Sequence, residues 1–368
     1  MINNMLYLKV IFILVCVFLS SSEIFGQIYF SPSVESYYDD NIYNNYLGVS
    51  DFVHNFSGEL GYDIESERNN FELYYFGNYS HFVKEREKSS TFHKAGLVNT
   101  FLLAEDDNPL NVGLNYLLKD NQGDFYIYDF NQVSAYANYM HSFSETDKFQ
   151  LGVIGNRIEY DNFSLFSHYQ LKAFIRSINN FKSNTSLITG IEIDDKSYIE
   201  KLQQQGLTDN ILQAKLYLQL GQSLNDNFGA SGYVFLRKNL ESGNRYFNDE
   251  EFIYYEEEIF NDVYSNEGIE TGLSFTYMFS PSVIGKIAGT YQIRKFTDLP
   301  AVDIAGNELD EFRQDKQFSV GTSVEFGLGR ILNGLFLTIN YNYIVNSSND
   351  YYYDYTNNLF AIGLGFDF

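Results

Sequence analysis

Histidine, the side chain most often used for acid–base and metal chemistry, occurs five times in the chain. The five are His54, His81, His93, His141 and His168. No two of them form a His-x-x-x-His pair, and the chain contains no phosphate-binding loop or Gly-x-Gly-x-x-Gly fingerprint. A barrel hydrolase using residues such as His81 and Ser80 is the remote alternative to scattered polar residues on strand faces. The sequence therefore predicts a protein that is not an enzyme, with no catalytic residue, cofactor or metal ligand.

Carboxylates are concentrated in residues 248–262, within the longest predicted loop. Their density suits Ca²⁺ or Mg²⁺, but the Asp-x-Asp-x-Asp-Gly spacing of a dedicated calcium loop is missing. Dense charge more often solvates an exposed loop, and we adopt that interpretation. Interleaved apolar residues such as Phe252 and Tyr254 indicate that the loop also packs into the barrel mouth or against a partner. The acidic loop residues are Asp249, Glu250, Glu251, Glu256, Glu257, Glu258 and Asp262.

Other charged residues occupy alternate positions of the predicted strands, where they would line the interior of a barrel. The acidic ones are Glu59, Asp63, Glu72, Glu192, Glu270 and Glu325, and the basic ones are Lys94, Lys172, Arg176, Lys215, Lys286 and Arg294. A ring of one sign would predict ion selectivity. Because strand register is not known from the sequence, these residues predict only a lumen of mixed charge.

Apolar and polar side chains that alternate with a period of two residues indicate the strands. In residues 269–279, Leu273, Phe275 and Tyr277 share one parity, and Gly272 and Ser274 share the other. Such alternation is typical of a strand with one apolar and one polar face. Runs of this kind number about sixteen (14–18), each ~10–14 residues long, within the range of bacterial membrane barrels. The predicted fold is therefore all-β: a closed antiparallel transmembrane β-barrel.

The connections between these strands alternate in length. Short ones are rich in Asn, Asp, Gly and Pro, as in residues 105–109 and 280–282. Long ones are predicted at 119–128, 196–210, 238–265, 296–315 and 346–356. One end with short turns and one with long loops is typical of outer-membrane barrels, whose long loops are extracellular. With sixteen strands, both termini fall on the short-turn side.

The N-terminus predicts secretion. Residues 10–19 are uninterruptedly apolar, which is too short for a membrane helix of ~20 residues but suits a signal-peptide core. Gly26 precedes the predicted cleavage point, so we expect a signal peptide over 1–26 and a mature barrel over 27–368. The mature chain has no cysteine, which excludes disulfides and thiolate metal sites.

Composition agrees with a membrane barrel. The chain has 34 Phe and 32 Tyr but no Trp, and its mean hydropathy is slightly negative at −0.25. Abundant aromatics with low net hydrophobicity fit strands that have one lipid face, one polar face and aromatic girdles. The net charge of −24 makes nucleic acid an unsuitable partner. The expected surroundings are outer-membrane lipids.

The C-terminal segment is the most specific local signal. Phe360, Ile362, Leu364, Phe366 and Phe368 alternate with small or polar residues. A last strand with an apolar face and a terminal aromatic resembles the signal that the barrel-assembly machinery recognises. We therefore assign Leu364, Phe366 and Phe368 as a barrel-assembly signal and that machinery as a partner.

The first mature strand leads into Tyr38, Asp39, Asp40, Asn41 and Ile42. This Tyr-Asp-Asp-Asn-Ile turn resembles the opening of the beta-barrel porins of the second type. The resemblance covers about a dozen residues, and it implies a porin-like or surface-polysaccharide export conduit with no catalytic residues. The alternative is a structural or assembly component of a surface or secretion machine, whose barrel anchors loops that bind export or surface proteins.

Overall fold

The computed structural model describes residues 26–103, 108–201, 209–241, 243, 245–248, 253–255, 264 and 266–367. The predicted signal peptide lies outside these ranges apart from Gly26. The seven predicted acidic loop residues and Phe368 also lie outside them. Within the described ranges, no helix has the length and apolar character needed to cross a membrane.

Sixteen long strands close into one antiparallel barrel in which neighbours along the chain are neighbours in the sheet. They are β1 (Gly26–Asp39), β2 (Asp51–Ser66), β3 (Asn69–Phe82), β4 (Ser90–Leu103), β5 (Asn108–Asn121), β6 (Phe130–Ser142), β7 (Asp147–Tyr160), β8 (His168–Phe181), β9 (Thr185–Tyr198), β10 (Asn210–Asn225), β11 (Phe228–Glu241), β14 (Asn266–Ser280), β15 (Val283–Val302), β16 (Glu308–Gly327), β17 (Leu335–Ser348) and β18 (Tyr355–Phe366). Two short strands, β12 (Tyr246–Asn248) and β13 (Ile253–Tyr255), pair with each other between β11 and β14. The predicted closed β-barrel is confirmed.

The two faces of the barrel follow from the alternation in the sequence. On β14, Leu273 and Phe275 are 64% and 46% exposed on the outer face. Ile287 of β15 lies directly opposite Phe275 and is 55% exposed. Because paired residues of neighbouring strands share a face, the register carries this apolar belt from strand to strand. The inner face receives the polar, charged and small residues of the other parity.

The barrel closes where the first strand meets the last. This seam is the shortest ladder among the described barrel strands, with seven residue pairs from Ser33–Gly365 to Asp39–Leu359. Leu364 lies opposite Val34 in the seam and is 42% exposed on the outer face. Phe366 ends β18. The predicted assembly signal therefore borders the closing ladder.

The strand connections alternate as expected between a short-turn end and a long-loop end. Turns such as 67–68 and 226–227 lie at one end, and loops such as 40–50 and 122–129 lie at the other. Gly26 and Phe366 are both at the short-turn end. In an outer-membrane barrel this end faces the periplasm and the long loops face outwards.

The predicted long loop at 296–315 is wrong. β15 continues to Val302 and β16 begins at Glu308, so a five-residue turn connects the two strands. Pro300 lies within β15 opposite Phe312, at a shift in register. Proline is tolerated there because a shifted ladder does not need its missing donor.

Arg313 supplies a physical reason for this extension. Its side chain is 3% exposed, and its guanidinium carbon lies 4.4 Å from the ring centroid of Phe296 and 3.2 Å from that of Tyr353. Asp315 accepts hydrogen bonds from Nε and Nη2 of Arg313 at 3.0 and 2.7 Å. The hairpin is thereby fixed to the loop between β17 and β18.

Candidate functional site: the lumen

The inner wall carries the twelve charged residues that the sequence assigned to the lumen. Glu59, for example, is opposite Ser31 of β1 and Phe76 of β3. Its neighbour Leu60 is 49% exposed on the outer face. The register of each strand places the other eleven on the inner face in the same way. The prediction of a lumen of mixed charge is confirmed.

One part of this wall is purely acidic. Strands β1, β2 and β3 contain no lysine or arginine, and their inward positions include Glu35, Glu59, Asp63 and Glu72. The hydroxyl of Tyr29 donates to Glu72 Oε1 at 2.7 Å and to Glu59 Oε1 at 3.4 Å. A phenol hydrogen bond leaves the carboxylate charge in place. We call β1–β3 the acidic sector.

The adjoining part of the wall is purely basic at its inward positions. Lys94, Lys119, Lys148, Lys172 and Arg176 point inward from β4, β5, β7 and β8. The carboxylates of these strands, such as Asp120 and Glu159, belong to the opposite parity and face outward. We call β4–β8 the basic sector.

Several opposite charges are paired from the edge of the basic sector onwards. Lys172 Nζ lies 3.6 Å from both Glu192 and Asp194 of β9. Lys215 Nζ lies 2.8 Å from Asp194 and 3.1 Å from Glu192, and it bridges β10 to β9. Arg294 of β15 and Asp315 of β16 are 3.0 Å apart. Paired charges largely cancel at a distance, so the unpaired charges of the two sectors contribute strongly to the potential inside the barrel. Neighbouring walls of the lumen therefore attract ions of opposite sign.

Inward aromatic rings lie flat against the wall because glycines make room for them. The ring of Tyr29 on β1 covers Gly61 on β2, and the ring of Tyr136 on β6 covers Gly113 on β5. A Cβ at either glycine would overlap the ring. Rings held against the wall occupy little of the cross-section. Glycines inside strand patterns were the signal in the sequence for these close approaches, and our sequence analysis missed it.

The long connection after β11 enters the barrel mouth through Arg245. This side chain is fully buried, and its Nη1 donates to the carbonyl oxygen of Leu165 at 2.8 Å. Nη2 contacts Asp209 Oδ1 at 3.0 Å, and the guanidinium carbon is 3.8 Å from the ring centroid of Tyr198 on the inner wall of β9. The start of the connection is thus fixed against the wall.

Tyr264 fixes the other end of the same connection. It is 4% exposed, and its backbone carbonyl accepts from Asn239 Nδ2 at 3.1 Å. Its hydroxyl is hydrogen-bonded to Gln170 of β8, and Lys196 Nζ lies 5.4 Å from its ring centroid. The described ends of the predicted loop 238–265 therefore pack inside the mouth. The sequence predicted such packing but did not identify Arg245 or Tyr264.

The five histidines do not share one location on the barrel. His54, His81, His93 and His141 lie on the outer face, and His168 is buried with Nδ1 2.8 Å from the carbonyl oxygen of Phe166. Ser80 points to the opposite side of β3 from His81 and donates to Asn78. Among the described residues, no group of three potential metal ligands converges.

The Tyr-Asp-Asp-Asn-Ile turn at 38–42 continues the seam beyond its ladder. Asp40 accepts hydrogen bonds from the backbone and side-chain nitrogens of Asn358 at 2.6 and 2.7 Å. Its own backbone nitrogen donates to the carbonyl oxygen of Asn358 at 3.1 Å. Asn41 is 1% exposed and donates through Nδ2 to the carbonyl oxygen of Thr356 at 3.1 Å. The motif joins the first and last strands at the long-loop end.

Lys88 attaches this turn to the neighbouring loop, 83–89. Its Nζ donates to the carbonyl oxygen of Ile42 and lies 4.2 Å from the ring centroid of Tyr43. Burial lowers the pKa of Lys88 to about 8, although the carboxylate of Asp39 opposes the shift. The loops at the start of the barrel are therefore packed against each other.

A closed sixteen-stranded barrel with an apolar outer belt and a charged inner wall defines the class of protein. In lipid every backbone polar group needs an internal partner, and closure of the sheet provides one for each strand. Barrels of this type occupy outer membranes. The outer-membrane location predicted from the sequence follows from this architecture.

Comparison with known proteins gives the same fold. No protein-family model matches the chain, and no curated protein matches its sequence. OccAB1 from Acinetobacter baumannii is similar in structure with a TM-score of 0.55 at 10% identity, covering 95% of this chain and 99% of that one. The outer membrane protein OpdK from Pseudomonas aeruginosa has a TM-score of 0.52 at 11% identity, with 93% and 98% covered. OccK8 (OprE) from Pseudomonas aeruginosa has a TM-score of 0.53 at 9% identity, again with 93% and 98% covered.

Proposed function

We propose that the protein is a porin-like channel through which small hydrophilic solutes diffuse across an outer membrane. The inner wall carries this proposal, because charged and polar side chains line a closed barrel of sixteen strands. A barrel of this size encloses water unless side chains or loops fill it. The similarity in fold to OccAB1 and to the outer membrane protein OpdK supports the proposal.

The packing at the mouth favours small solutes over a polysaccharide chain. Arg245 and Tyr264 pack against the inner wall at the mouth, so their side chains occupy part of the entrance. An export conduit and a scaffold for surface proteins are the competing hypotheses. A porin should conduct ions as an isolated barrel, and the competing hypotheses do not require this.

Conductance in planar bilayers tests the proposal. We expect discrete open channels from the purified protein, and a larger single-channel conductance from Arg245→Ala because one end of the connection is released. Arg86→Ala is the matched control, since Arg86 is exposed on the 83–89 loop at the same end of the barrel. If the folded protein and Arg245→Ala both fail to conduct, the porin proposal is wrong and a scaffold is favoured.

A further inference from the structure

A row of lysines crosses the outer face near the long-loop end. Lys238 of β11, Lys295 of β15 and Lys316 of β16 are all exposed and point outward. Glu267 of β14 lies between the first two, opposite Lys295 and 2.7 Å from Lys238 Nζ. We call these three lysines the lysine row. One glutamate leaves the row with an excess of positive charge.

The row lies just beyond the lipid-contacting belt. On β14 the outward residues 269–279 span ten steps of ~3.4 Å, or about 26 Å along the normal of a strand tilted by ~40°, which matches an apolar band of ~25 Å. Glu267 is the next outward position. Leu236 and Phe318, 40% and 47% exposed, are the outward neighbours of Lys238 and Lys316 on the membrane side. The lysine row is therefore at the headgroup level of the outer leaflet.

The positive charge of the lysine row differs from the charge of the other outward positions at this end. Elsewhere on the outer face at this end, the outward positions Asp120, Glu159 and Asp195 are acidic, and the outward Arg157 is paired with Glu159. On the β15–β16 hairpin, Asp298 and Glu311 lie three and five residues beyond the lysines, about 10 and 17 Å farther along the strands. At physiological salt those distances exceed the Debye length of ~8 Å. Among the described outward positions at this end, the lysine row is thus a region of net positive charge at the height of lipid phosphates, in a chain with a net charge of −24.

We propose that the lysine row binds the phosphates of an anionic lipid in the outer leaflet. Ammonium groups bind phosphate as point charges and need no fixed orientation. The row is continuous with the apolar belt below it, so one molecule can place its phosphates on the lysines and its acyl chains on Leu236 and Phe318. Free phosphate would gain only the first of these contacts. Lipid binding depends on the barrel's position in the membrane and not on its conductance.

Native mass spectrometry of the protein in nonionic detergent tests the proposal, with a diphosphorylated glycolipid and its dephosphorylated form as probes. The variant combines Lys238→Gln, Lys295→Gln and Lys316→Gln. A lysine near an anionic surface contributes ~5-fold in affinity, so we expect a loss on the order of 100-fold for the phosphorylated probe. The dephosphorylated probe should bind weakly and equally to both proteins. Inorganic phosphate at the same concentration should not displace the lipid.

The matched control removes three positive charges from the short-turn end. Arg68→Gln, Lys182→Gln and Arg330→Gln change exposed residues in the turns 67–68, 182–184 and 328–334. This control should keep the affinity of the unchanged protein, and a heat-modifiable band should show that both variants are folded. Equal affinity of the two variants for the phosphorylated probe would overturn the proposal. Equal binding of both probes to the unchanged protein would do the same.

Discussion

Two inward glutamates show that the contribution of a charge to the field in the lumen depends on its partner on the neighbouring strand. Glu192 lies 3.1 Å from Lys215, whereas Glu59 accepts a hydrogen bond from the neutral hydroxyl of Tyr29 at 3.4 Å. The first charge is compensated and the second adds to the field of the lumen. Alternation in the sequence predicted that both residues face inward. The partner across the strand depends on register, which the sequence pattern of a single strand does not contain.

At this scale the turn at 38–42 makes a testable contribution to closure. Asp40→Ala removes the acceptor of two hydrogen bonds from Asn358 at the edge of the shortest ladder. Leaving these donors without their partner should lower the free energy of unfolding by about 1–3 kcal/mol. The urea concentration at which the compact, unboiled band disappears on a gel measures the change. Asp226→Ala, in an exposed turn at the other end, should leave that concentration unaltered; an equal effect of both variants would contradict a role for the turn in the seam.

Among the elements, the β15–β16 hairpin is one that the sequence pattern did not predict correctly. Its outer part contains Pro300, Asp298 and Glu311, which are typical of loops, and the sequence accordingly predicted a loop. In the structure Leu299 and Ala301 are 2% and 0% exposed, so this part packs against other loops. Such tertiary contacts outweigh weak local β-propensity. Strands within the membrane were predicted well because lipid and water impose unlike faces on them.

The last strand is the element whose role in assembly is most open to test. Leu364→Asp places a charge on the lipid face of β18 beside the seam. Charge on that face is unfavourable by up to a few kcal/mol, and the strand must pair with β1 for the barrel to close. We expect the variant to disappear from the outer-membrane fraction, as should a chain in which Phe366 and Phe368 are replaced with Asp.

Thr338→Asp provides the control for that substitution at almost the same depth. Thr338 is paired with Gly363 and faces the lumen, where a carboxylate stays hydrated. This variant should reach the outer membrane in normal amounts. Normal insertion of Leu364→Asp, or an equal loss of both variants, would show that the apolar face of the last strand is not the assembly signal.

For the whole molecule, the sequence was most informative where the membrane constrains it. Alternating connection lengths predicted one end with short turns and one with long loops, and the strand bounds agree. The contacts at the mouth do not follow a regular pattern in the sequence. Arg245 is the only arginine between residues 238 and 293, and its burial against Tyr198 depends on how the connection folds back. The sequence could indicate that the connection packs on something, but not where.

The two charge sectors lead to a prediction about ion selectivity. Because the acidic and basic sectors lie side by side, cations and anions each have a favourable wall, and we expect the unchanged channel to be at most mildly cation-selective. Glu59→Gln with Glu72→Gln should shift the reversal potential towards anions. Lys94→Gln with Lys148→Gln should shift it towards cations. Replacing Glu256, Glu257 and Glu258 with Gln tests the separate contribution of the acidic loop. This variant should have a smaller preference for cations, and its pore should stay open.

Salt concentration distinguishes a field effect from a change in pore shape. The Debye length falls from ~10 Å at 0.1 M to ~3 Å at 1 M, so the shifts of the two pairs of variants should be opposite in sign at 0.1 M and nearly vanish at 1 M. Glu159→Gln removes a carboxylate from the outer face and should change the reversal potential at neither concentration. Shifts of the same sign, or shifts that persist at 1 M, would mean that the substitutions act on the width of the lumen. The sectors would then not govern the passage of ions.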